Sequence, residues 1–518
     1  MADVKKTTGF GEEKSFRGKL ASALWDYGQS DAYPFHMPGH KRNPAFMTLP
    51  PVNSIDITEI DGFDDLHHSD GILKEVQERA ARVRGAERTW FVVNGSTCGI
   101  LAAVSACVRP GERILLARNC HKAVYNAIEL RGLNPVYLYP KLHEKYGIYE
   151  GVEAREVQRL LEIYPDIKAV VITSPTYEGI ISDVEAVVRV AHEAGIPLIV
   201  DSAHGAHLGY SPDFFPSPVS LGADLVIESL HKTLPSMTQT ALLHRCMGLV
   251  DERKVEKYLS MYESSSPSYV MMAAMDQCVS LLKDQAGPLF SQFFGRLEKF
   301  YQDCRGLKNM RLLMPGDFQY AKGYDLSKLV FYVTCRAGMG PWLYDRLRED
   351  YHLQMEMASA DYVLAMTSIC DTDEGFRRLK EAVFALDERL EDYDGVQTQG
   401  KDCSLATGKG TLLEENLNRP AIPVMNSAQA AERECVWVDL KDAPGHISQT
   451  YVYIYPPGIP MIVPGEQVPK AMPSQVVRFQ KAGLKVHGLE TGETGKEEPR
   501  MAVIAPEKEI GPGGNIDE

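Results

Sequence analysis

A series of short apolar runs paces the stretch from Asp70 to Leu243: RTWFVVN, RILLAR, NPVYLYP, IKAVVITSP, IPLIVDSAH and ADLVIESLH. Turn or polar residues close each run and helical patterns separate them, as in buried strands of a mostly parallel sheet. Parallel neighbours need crossover connections, and the helices that make them cover both faces, so this stretch predicts a doubly wound α/β domain. Ligands of such open sheets bind beyond the carboxyl ends of the strands. The residues that end each run are therefore the first place to look for chemistry.

A chain of 518 residues exceeds what one hydrophobic core usually organises, and two or three domains are expected. An N-terminal segment spans 1–69 and the large domain 70–305. Residues 306–395 read as a smaller α/β domain, because the strand-like LSKLVFYVTC and DYVLAMTSIC flank a helical segment around Trp342 to Arg348. Residues 396–435, rich in Gly, Ser, Thr and Asn, read as a linker or irregular segment. A compact C-terminal domain is expected at 436–490 around YVYIYPPGIPMIVPGE, and the Gly-, Pro- and charge-rich tail 491–518 is expected to be mobile.

Composition narrows the function. Fifty-five basic against seventy acidic residues give a formal charge of −15, which works against a broad nucleic-acid surface. No apolar run is long enough to span a bilayer. The N-terminus lacks the apolar core of a signal peptide, and Glu12 and Glu13 argue against a transit sequence, so a cytoplasmic address is expected. Ten cysteines, scattered from Cys98 to Cys435 without a C-x-x-C pair, suggest neither a zinc ribbon nor a disulfide framework, and no metal site is expected.

Ser229-Leu230-His231-Lys232-Thr233 directly follows the run LVIE. A lysine at a strand end in a sheltered site can lose its proton, because desolvation lowers its pKa, and can then form an imine with an aldehyde cofactor. The plainer reading is a surface lysine. Asp201 ends the run IPLIV, where a carboxylate could hold a pyridine nitrogen protonated or simply cap a helix. In Asn94-Gly95-Ser96-Thr97-Cys98-Gly99, small residues at a helix start would offer backbone N–H groups and the Ser96 and Thr97 hydroxyls to a phosphate; ordinary capping is the alternative. His121, just after RILLA, could lie flat against a cofactor ring or be a partly buried histidine. What lifts all four above their plainer readings is their joint order: phosphate loop, ring-facing histidine, carboxylate and imine lysine, each at a predicted strand end.

With these motifs the sequence resembles the ornithine/lysine/arginine decarboxylase family, pyridoxal-phosphate enzymes of the aspartate-aminotransferase fold (fold type I). The resemblance runs from about Phe35 to Glu466 and rests on FHMPGHK (35–41), DITEIDGFDDLHH, NGSTCG, RNCHKA, SPTYEG, DSAHGAH, ESLHKTL and YPPGIPMIVPGE. It implies that Lys232 binds pyridoxal 5'-phosphate as an imine, that Asp201 contacts the pyridine nitrogen and that His121 stacks on the ring. Ser96, Thr97, Ser229 and His231 would hold the phosphate, and His204 would lie near the phenolic oxygen. Glu466 would face the substrate entrance or the distal cation of the substrate, although a Pro-rich loop ending in Gly-Glu can equally be a rigid turn.

The implied activity is α-decarboxylation of a basic L-amino acid, arginine or lysine before ornithine, feeding polyamine synthesis or acid resistance. Lys232 or His231 would return a proton to Cα. An aminotransferase or aldol-type lyase on the same fold is the nearest alternative, but no motif singles out Arg336, Arg346, Arg377 or Arg378 to grip an α-carboxylate. A non-catalytic regulatory protein is the remote one. The family implies a homodimer or higher homo-oligomer with FHMPGHK reaching the neighbouring site. The core motif arrives within forty residues, so the chain resembles the short, wingless class. It departs from the family at Ser448-Gln449-Thr450, where relatives carry Ser-Ala-Glu, and at HHSD after Leu66, where a proline is usual.

Overall fold

The structure, a computed structural model, describes residues 18–391, 421–454, 458–481, 483–490 and 498–506. Seven strands build the central sheet: β1 (Arg88–Val92), β2 (Arg113–Ala117), β3 (Asn134–Leu138), β4 (Ile167–Thr173), β5 (Leu198–Asp201), β6 (Leu225–Glu228) and β7 (Ala241–Arg245). They lie in the order β1-β7-β6-β5-β4-β2-β3, parallel except for β7, which runs antiparallel to both its neighbours. The apolar runs account for this placement. Leu225–Glu228 and Leu198–Asp201 are buried at every position, as strands covered on both faces must be. The order doubles back beside β2, so the carboxyl ends of β1, β2, β5 and β6 converge on one side of the sheet.

The small domain is a four-stranded antiparallel sheet containing Lys328–Val333 and Tyr362–Met366, with the helices Gly340–Tyr351 and Asp373–Glu391. This matches the strand–helix–strand expectation. The helix Tyr269–Asp303 links the two domains, and Phe290, Phe293 and Phe300 on it share one apolar core with Phe331 and Phe376 of the small domain. The N-terminal segment belongs with them, since Tyr33–Phe35 pairs in parallel with Leu353–Met355.

The C-terminal unit has its own core, including Val452, Ile462, Met472, Val476, Met501 and Val503. Two expectations about its borders change. Arg500–Ile504, within the segment expected to be a mobile tail, forms a strand antiparallel to Cys435–Asp439; Met501, Ala502 and Val503 are all buried, a short apolar run overshadowed in sequence by the surrounding Gly, Pro and charge. Most of the expected linker, its residues 396–420, lies outside the described residues. Its end is ordered, with the helix Ser427–Ala431 closed by a reciprocal Asn426 and Gln429 cap and Ile422–Pro423 paired to Glu466–Gln467. Among the described residues no helix is long and apolar enough to cross a membrane.

Candidate active site

Lys232 sits on the short helix Leu230–Thr233 directly after β6, and its Nζ lies 3.0 Å from His204 Nε2. Burial lowers the pKa of this amine; the Asp201 and Glu356 carboxylates oppose that shift and the Lys328 ammonium adds to it. An uncharged amine at a strand end is what covalent attachment to an aldehyde requires. His204 is held well below its ordinary value by burial and then by the charge of Lys232. It is a neutral ring. Its Nδ1 is buried without a hydrogen-bond partner among the described residues, which marks a place for a ligand group the chain itself does not supply.

Asp201 ends β5, beside β6 in register with Ile227, and is 3% exposed. One carboxylate oxygen accepts from the Ala203 N–H at 3.1 Å and closes the turn after β5, but no helix begins there for it to cap. Its charge is nonetheless felt by both His121 and Lys232. His121 caps the helix Lys122–Arg131, its Nδ1 accepting from the Ala123 N–H at 3.2 Å. Burial lowers its pKa, with Asp201 opposing. The strand ends thus bring Lys232, His204, Asp201 and His121 into one electrostatic unit.

The helix Gly95–Cys107 begins at the end of β1. Gly95 has a φ of +75°, a left-handed turn that a side chain resists. Ser96 and Ser229 meet there, Ser229 donating to the Ser96 hydroxyl at 2.7 Å, and Thr97 is exposed beside them. His231 Nδ1 bonds the Thr240 carbonyl at 3.0 Å, and burial pushes this ring from 6.5 to about 4. Two hydroxyls and the free N–H groups of a helix start fit a phosphate cradle.

Glu466 lies against Arg118, just after β2. It is 2% exposed, and its Oε2 accepts from Arg118 at 3.3 Å and from the Val463 N–H at 2.8 Å. Arg118 also donates to the Pro460 carbonyl and the Tyr125 hydroxyl. One oxygen of the carboxylate expected at the substrate entrance thus serves a buried arginine, because a guanidinium withdrawn from water needs a counter-charge, while its Oε1 is buried without a hydrogen-bond partner among the described residues. The FHMPGHK motif contacts the Lys232 turn of its own chain. Gly39 N–H donates to the His231 carbonyl at 2.6 Å, and the Gly39 carbonyl accepts from Ser368 at 2.6 Å. Lys41 is buried, bonded to the His36 and Met366 carbonyls.

Three neighbours of the site carried no assignment in the sequence. Tyr177, within SPTYEG, lies 4.6 Å from His204 ring to ring and donates through its hydroxyl to Glu356 Oε1. Glu356, from the small domain, also accepts from the Met37 N–H at 2.9 Å. Behind His204, the buried Lys328 ammonium pairs with Asp325 at 3.1 Å and reaches the His204 carbonyl at 3.4 Å, while His207 bonds the other Asp325 oxygen. Against the penalty of burial, His207 and Lys328 hold Asp325 far below the usual carboxylate range. The SPTYEG motif was a usable signal for Tyr177. Glu356 had none, being one charged residue within LQMEM.

Comparisons with known proteins bear on the family and the fold. Residues 19–322 match the family described as Orn/Lys/Arg decarboxylase, major domain, and residues 411–501 match its C-terminal domain. An arginine decarboxylase of Bacillus anthracis is 30% identical over 483 residues, 91% of this chain and 94% of that protein. An uncharacterized Bacillus subtilis protein, YaaO, is 32% identical over 480 residues, 90% of this chain and 95% of its own. The solved constitutive lysine decarboxylase of Escherichia coli superposes with a TM-score of 0.73 at 19% identity, covering 94% of this chain and 82% of that one, a likeness of fold.

Proposed function

Because this chain belongs to the Orn/Lys/Arg decarboxylase family, we propose that it removes the α-carboxyl group of a basic L-amino acid, arginine or lysine before ornithine, as carbon dioxide. The cofactor in this reading is pyridoxal 5'-phosphate, whose protonated ring takes up the electron pair left on Cα. The observation that carries the reading is the Lys232 amine, depressed by burial and 3.0 Å from a neutral His204.

The residues present suit that group. Lys232 would hold it covalently through Nζ, and Asp201 would pair with the ring nitrogen. Ser96, Thr97, Ser229, His231 and the N–H groups at the helix start would take the phosphate. His121 offers a flat ring face, and the His204 ring, neutral and with its Nδ1 unpartnered, suits a polar oxygen nearby. Once freed, Lys232 Nζ is a group able to deliver a proton to Cα, whereas His231, kept neutral by burial, is the poorer donor of the two. Arg346, Arg377 and Arg378 are engaged with Glu349, Glu374 and the Tyr351 carbonyl respectively, which favours decarboxylation over transamination. A homodimer is part of the proposal, and exposed Leu20, Leu24, Trp25 and Phe63 in the N-terminal segment support it.

The test is an assay of carbon dioxide and amine product against arginine, lysine and ornithine, with borohydride reduction of the holoenzyme. A pyridoxyl adduct on Lys232 and amine from at least one substrate are expected. An adduct on another lysine, or keto-acid product instead of amine, would overturn the reading.

A further inference from the structure

A basic substrate brings a positive end into a sheltered site, and a cation taken out of water needs a charged, hydrogen-bonded partner. Several buried or half-buried acidic groups differ sharply in what they can still bind. Glu466 already carries an ion pair, its Oε2 facing Arg118, while its Oε1 is buried without a hydrogen-bond partner among the described residues. Glu178 is buried between Tyr362 and Thr176, and burial raises its pKa toward the neutral acid. Burial likewise raises Asp371, which bonds Tyr33 and the Ser368 N–H. Asp325 is closed around Lys328 and His207. Asp201 caps its own turn beside Lys232.

Glu356 is different on each count. It is half-buried and, among the described residues, forms no ion pair within 4.0 Å. Its neighbour Lys41 turns its ammonium to backbone carbonyls instead. Tyr177 O–H fixes one carboxylate oxygen and Met37 N–H the other, which orients the group and leaves each oxygen capacity for a further donor. A run of contacts joins it to the reacting amine: Glu356 to Tyr177, Tyr177 to His204, His204 to Lys232. Its charge acts on Lys232, second among carboxylates only to Asp201.

We infer that Glu356, held in place by Tyr177 and the Met37 N–H, is the carboxylate that binds the positively charged end of the substrate. The inference rests on the decarboxylase reading for the identity of the substrate, but not for the existence of a cation site. Glu356 sits on the small domain while Lys232 sits on the large one, so the substrate spans the two. Tyr177 is a positioning residue here.

The experiment is calorimetric binding of agmatine, cadaverine and pentylamine to the holoenzyme, in wild type, Glu356→Gln and Glu466→Gln. The first two ligands carry the distal cation, and pentylamine is cadaverine without it. Glu356→Gln is expected to weaken agmatine and cadaverine by about tenfold or more, as for loss of a charged hydrogen bond, with pentylamine and the cofactor absorbance little changed. Equal losses for all three amines, or no loss, overturns the inference; so does a cation-selective loss in Glu466→Gln alone. Should Glu356→Gln fail to fold, Glu356→Asp, which keeps the charge on a shorter arm, is expected to shift preference toward the longer agmatine, and an unchanged ratio overturns the proposal. If wild type releases no carbon dioxide from any basic amino acid yet Glu356→Gln shows the selective loss, the reaction assigned above fails and the cation site stands.

Discussion

The Arg118 guanidinium and the Glu466 carboxylate meet at 3.3 Å with neither side chain more than 7% exposed, and the contact joins the end of β2 to the C-terminal unit. Arg118 is three positions before His121 in the chain, so the C-terminal unit is tied to the strand end that presents the histidine. The pair is costly to make and more costly to break, because removing one partner strands the other charge in a low-dielectric interior.

Glu466→Gln is therefore expected to act on stability. It keeps the size of the side chain and removes the counter-charge, for a loss of about 3 kcal/mol, read as a lower Tm of the holoenzyme. An unchanged Tm with a raised KM for the basic substrate would return Glu466 to the substrate entrance.

Gly39→Ala should disturb the Lys232 turn. A Cβ built at Gly39 falls 2.7 Å from both the backbone N and O of Leu234, and backbone cannot swing aside as a side chain can. The expected cost is about 1–3 kcal/mol, together with weaker retention of cofactor absorbance. Wild-type stability and absorbance in the variant would show that the motif has slack.

Asp201→Asn separates two roles of one residue. An amide can still accept from the Ala203 N–H, so the turn should survive and cofactor should be retained in part. Turnover should fall by most of its value, because a neutral side chain no longer favours a protonated ring nitrogen. Near-normal kcat would leave Asp201 as a cap alone.

Acid should loosen the fold through its neutral histidines. The folded state holds His231 at about 4 against an ordinary 6.5, so between those values the unfolded chain binds the extra proton. Stability from this group is complete above pH 6.5 and declines as pH falls toward 4, by about 3 kcal/mol over the whole window. His36, His40, His121 and His204 are shifted in the same direction, all chiefly by burial. Tm measured across this range should fall in wild type and fall less steeply in His231→Gln. Identical slopes would remove His231 from the account.

The placement of Lys232, Asp201, His121 and the Ser96 loop together could be read from the chain alone because each lies at or just after the end of a buried strand. An apolar run ending in a polar residue is a local signal, and in a parallel sheet strand ends on one side necessarily converge. The family motifs gave Ser229, His231 and His204 in the same way. No local pattern encodes the partners. Tyr177 and Glu356 are 179 positions apart and Arg118 and Glu466 are 348 apart, and a glutamate reads alike in sequence whether it faces a substrate or an arginine. Only packing of the small domain and the C-terminal unit against the large one decided which carboxylate was neutralised and which stayed unpaired, since desolvation and counter-charge depend on what surrounds a group in space.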